Sequence, residues 1–95
     1  MATIAPKEFE RIVDGIIDDR ALIIKHNPIG TEEEILLWML VSCLVSYLSL
    51  TEAETPCFPG RPDAETYRDA IRFILRNHGS PDFDAEPYLA KLTEE

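Results

Sequence analysis

Apolar positions recur along this chain at helical rather than strand spacing. Phe9, Ile12, Val13, Ile16, Ile17, Ile23 and Ile24 share one face of a helix predicted over about residues 6–26, and Pro6 suits its first turn. Glu10, Asp14, Asp18 and Lys25 fall on the other sides. Arg20 interrupts the pattern, because a regular helix sets it in the middle of the apolar stripe. Arginine is rarely buried, so the expectation is that it snorkels or that the helix bends near Asp18-Asp19; the alternative is a buried or interfacial ion pair with a carboxylate.

The sequence His26-Asn27-Pro28-Ile29-Gly30 stops this helix, and Thr31-Glu32-Glu33-Glu34 starts a second one, predicted over about 31–54. Thr31 and Glu34 match a capping box, in which each side chain satisfies the other's end of the first turn. Three carboxylates there also face the positive end of the helix dipole. From Ile35 to Leu50 the chain has no charge, glycine or proline. Leu36, Leu37, Leu40, Val41, Cys43, Leu44, Val45, Tyr47 and Leu48 cover more than half of the helix circumference. The remaining strip carries Ile35, Trp38, Met39, Ser42, Ser46, Ser49 and Ala53. It is smaller and more polar than the rest, yet uncharged. The serines are expected to bond back to the helix or to permit close packing.

Residues 55–62, TPCFPGRP, form a proline-rich loop. Asp63 then caps a third helix over about 63–78, with Ala64, Tyr67, Ala70, Ile71, Ile74 and Leu75 inward and Phe73 on the opposite side. Gly79 is a candidate left-handed cap at its end. Asp84 and Pro87 announce a short final helix over about 84–92, docked by Tyr88, Leu89 and Leu92. The expected fold is all-α: a single domain over 1–95, a small bundle of three main helices plus a short C-terminal one, with the apolar helix at its centre.

Charge changes the picture in two ways. Eighteen acids against nine bases give a net charge of −9, which disfavours binding to nucleic acid or anionic membranes. Residues 61–76 nevertheless hold four arginines and three acids, so an arginine-rich element sits on an acidic body. The sixteen-residue apolar run is shorter than the roughly 20 residues that span a bilayer, and acids rather than basic or aromatic anchors flank it. No membrane span and no secretory signal are expected, and a cytoplasmic location fits two cysteines that make no disulfide framework.

Candidate chemistry is sparse. His26 and His78 stand fifty-two residues apart, both in helix-exit sequences, so no metal site is expected. Asp14 and Asp18 share a helix face and, with the glutamates at 32–34, offer the weak alternative of a small Mg²⁺-dependent hydrolase. The helical serines have no local base, Cys57 has only Arg61 nearby, and four dispersed glycines exclude a phosphate-cradling loop. Neither catalysis nor a cofactor is expected.

Arg68, Arg72 and Arg76 recur every four residues, a spacing able to track phosphates, but Glu65 and Asp69 lie within pairing distance. The sequence is therefore read as a non-catalytic interaction or regulatory protein, with Trp38, Met39, Ser42, Ser46, Ser49 and Phe73 as interface residues. Helix two is expected to form a homodimer. A protein partner is expected at Phe73 and the Arg68/Arg72/Arg76 face, or on the acidic surface. A further alternative is an acidic nucleic-acid mimic that blocks a basic DNA- or RNA-binding protein.

Overall fold

The computed structural model of the protein describes residues 3–27, 30–48, 63–80 and 82–93. Among the described residues there are five helices and no strand: α1 (Pro6–Asp18), α2 (Arg20–His26), α3 (Glu32–Leu48), α4 (Ala64–His78) and α5 (Glu86–Thr93). They pack as a bundle around α3, which touches all four other helices and most extensively α4.

The centre of the bundle follows from the apolar run. Ile35, Leu36, Leu37, Leu40, Val41, Leu44, Val45 and Leu48 of α3 are buried. Phe9, Val13 and Ile16 of α1, Tyr67, Ile71, Ile74 and Leu75 of α4, and Leu89 and Leu92 of α5 close the same core. Each fully buried side chain of this size contributes roughly 1.5–3 kcal/mol of transfer free energy. Phe9 also meets Phe83 and Tyr88 edge-on, with ring centroids 5.4 and 5.7 Å apart, which fastens α5 and the turn before it to α1. The radius of gyration, 12.7 Å, is that of a compact chain of this length.

The single helix expected over 6–26 is instead two helices. Asp19, with φ −97° and ψ 10°, breaks it after Asp18. The break is the bend expected near Asp18-Asp19, and the ion pair at Arg20 is solvent-exposed rather than buried. The chain bends, and the half-buried Arg20 donates from Nη2 to Glu32 Oε2 of α3 at 3.3 Å. The consequence appears on α2: none of its residues is buried, and Leu22 is 55% exposed.

The capping box is present as read. Thr31 N–H donates to Glu34 Oε1 at 3.0 Å, and Glu34 N–H to Thr31 Oγ1 at 3.2 Å. Gly30 just before it has φ 115°, a conformation that side chains disfavour. The expected extent of this helix beyond residue 48, to about 54, lies outside the described residues. Asp63 caps α4 by accepting from Thr66 N–H at 2.9 Å and from Thr66 Oγ1 at 2.7 Å. These bonds hold the Asp63 carboxyl below its ordinary range. The final helix starts at Glu86 rather than 84, because Asp84 stands outside the helix and its Oδ1 accepts from Glu86 N–H at 3.1 Å.

Gly79 is not a left-handed cap. Its φ of −94° and ψ of 175° are extended, and it forms a parallel bridge with Ile4. Glycine is required there by proximity: an added Cβ would lie 2.5 Å from the carbonyl oxygen of Leu75.

Candidate interaction surface

On helix α3, Trp38, Met39 and Cys43 pack against the core but are only partly covered. The neighbours of α3 cover most of its circumference and leave a strip in which residues recur at helical spacing. Trp38, Met39, Ser42 and Cys43 are half-buried, Ser46 is exposed, and Tyr47 is 42% exposed. No member of the strip carries a charge.

The strip contains the expected Trp38, Met39, Ser42 and Ser46, but its borders differ from the sequence reading. Ile35 belongs to the core, at 5% exposure, whereas Cys43 and Tyr47 leave the leucine side and join the strip. Neighbouring helices, rather than side-chain character, decide where burial ends. Ser49 lies outside the described residues, as does Cys57. Of the two roles expected of the serines, Ser42 does not bond back to the helix, because its Oγ is buried without a hydrogen-bond partner. Burial raises the pKa of the Cys43 thiol, which disfavours its nucleophilic thiolate.

The second candidate face lies on α4. Phe73 points outward, 66% exposed, as its helical position requires. The arginines beside it are not an open phosphate track. Arg68 donates from Nε to Glu33 Oε1 of α3 at 3.0 Å. Arg72 donates from Nε to Glu86 Oε1 at 2.9 Å and from Nη1 to Asp69 Oδ1 at 3.2 Å. The Arg72 guanidinium holds the Glu86 carboxyl below its ordinary value, and Glu86 in turn raises the pKa of Arg72. Arg76 is exposed, with no ion pair among the described residues. It borders a groove of about 310 Å³ between α4 and Ser80, Phe83, Asp84, Ala85 and Glu86, walled by Leu75 and Phe83 and edged by Asp84 and Glu86. Of the expected face, Phe73 is exposed and Arg76 has no ion pair among the described residues.

The carboxylates are similarly dispersed. Asp14 faces Lys91 of α5 at 3.8 Å, Glu32 pairs with Arg20, and Glu33 with Arg68. Among the described residues, no three His, Cys, Asp or Glu side chains converge as metal ligands do. Asp14, Asp18 and the glutamates at 32–34 are thus not gathered into one site. No helix among the described residues is long and apolar enough to cross a membrane.

Sequence reasoning anticipated Asp69 beside Arg72 but missed Glu33 and Glu86, which lie 35 and 14 residues from the arginines they pair with. It also assigned nothing to Ile4 or Phe83, both of which contribute to the packing. Comparison of the chain with protein families, curated proteins and solved structures found no match.

Proposed function

We propose that the protein is a non-catalytic, cytoplasmic interaction or regulatory protein that works as a helical homodimer and contacts a further protein. The observation that carries this reading is the uncharged strip of α3, which leaves Trp38, Met39 and Tyr47 partly in water at the centre of a chain with net charge −9. Apolar surface of this kind on the central helix favours association over solvent. The dimer face is Trp38, Met39, Ser42 and Ser46, extended by Cys43 and Tyr47. The further partner meets Phe73 and Arg76, an aromatic anchor beside a cation that its own chain leaves unpaired among the described residues.

Sedimentation velocity at two protein concentrations tests the dimer. A sedimentation coefficient that rises with concentration supports it, and a strictly monomeric species at high micromolar concentration contradicts it.

A further inference from the structure

We draw no further inference here: the strongest candidate, the open groove between α4 and the turn before α5 that Arg72, Leu75, Arg76, Phe83, Asp84 and Glu86 line, carries nothing, because its two arginines are matched by two carboxylates and nothing in the structure shows what would fill it.

Discussion

The backbone N–H of Ile4 donates to the carbonyl of His78 at 2.7 Å, joining the segment before α1 to the end of α4. Ile4 is fully buried beside this bond, and Gly79, which completes the bridge, has no room for a side chain. Two consequences of this junction are therefore separable. Ile4→Ala removes buried methyl groups and should cost about 2–5 kcal/mol in chemical denaturation. Gly79→Ala forces a Cβ onto the Leu75 carbonyl and should cost about 1–3 kcal/mol, although it adds only a methyl group. An unchanged denaturation midpoint in Gly79→Ala would contradict the packing at this junction.

Phe9 and Phe73 are the same residue type in opposite environments. Phe9→Ala should lose about 3–5 kcal/mol, because three aromatic rings and the α1 core meet there. Phe73→Ala should change stability by less than about 0.5 kcal/mol. Equal losses in thermal unfolding would show that Phe73 is covered within its own chain.

The capping box at Thr31 makes a smaller prediction. Thr31→Ala removes the acceptor for Glu34 N–H and should destabilise the fold by about 1 kcal/mol. Thr31→Ser should retain most of that stability. Urea denaturation of the three chains gives the ranking, and an alanine variant as stable as the serine one would contradict the cap.

Glu86 predicts a pH dependence. Its folded-state pKa lies below the ordinary value, chiefly through its hydrogen bond to Arg72. Between the depressed folded value and the ordinary unfolded one, the unfolded chain binds more protons, so stability rises with pH across that window. The contribution is fully present above the ordinary carboxylate pKa and is lost as pH falls through the folded one. Carbon-detected NMR titration of the Glu86 carboxyl should give a low midpoint that moves upward in Arg72→Gln. An identical midpoint in both chains would contradict the pairing.

Local signals carried the helices, and long-range geometry carried most of what the sequence left out. Thr31-Glu34 and Asp63-Thr66 were legible because a cap is decided within four residues. The inward faces of α1 and α4 were legible because their apolar residues repeat at helical spacing. The break at Asp19 was visible only as a conflict at Arg20, and locating its resolution required Glu32, across the α2–α3 turn. The arginine stripe looked uniform in sequence, yet Arg68 and Arg72 are held by carboxylates of other helices whereas Arg76 has no ion pair among the described residues. On α3 nearly every residue is apolar, so periodicity marked the serines, Trp38 and Met39 but not Cys43 and Tyr47. Only the placement of the other four helices draws that border.

The central claim is that the Trp38–Tyr47 strip of α3 is a self-association face. Sedimentation equilibrium of the wild-type chain beside Ser46→Glu and Phe73→Ser, from low micromolar to millimolar concentration, tests it most directly. The mass of the wild type and of Phe73→Ser should climb from one chain toward two, while Ser46→Glu stays at one. A wild type that remains at one chain throughout, or a Ser46→Glu that climbs with it, would contradict the claim.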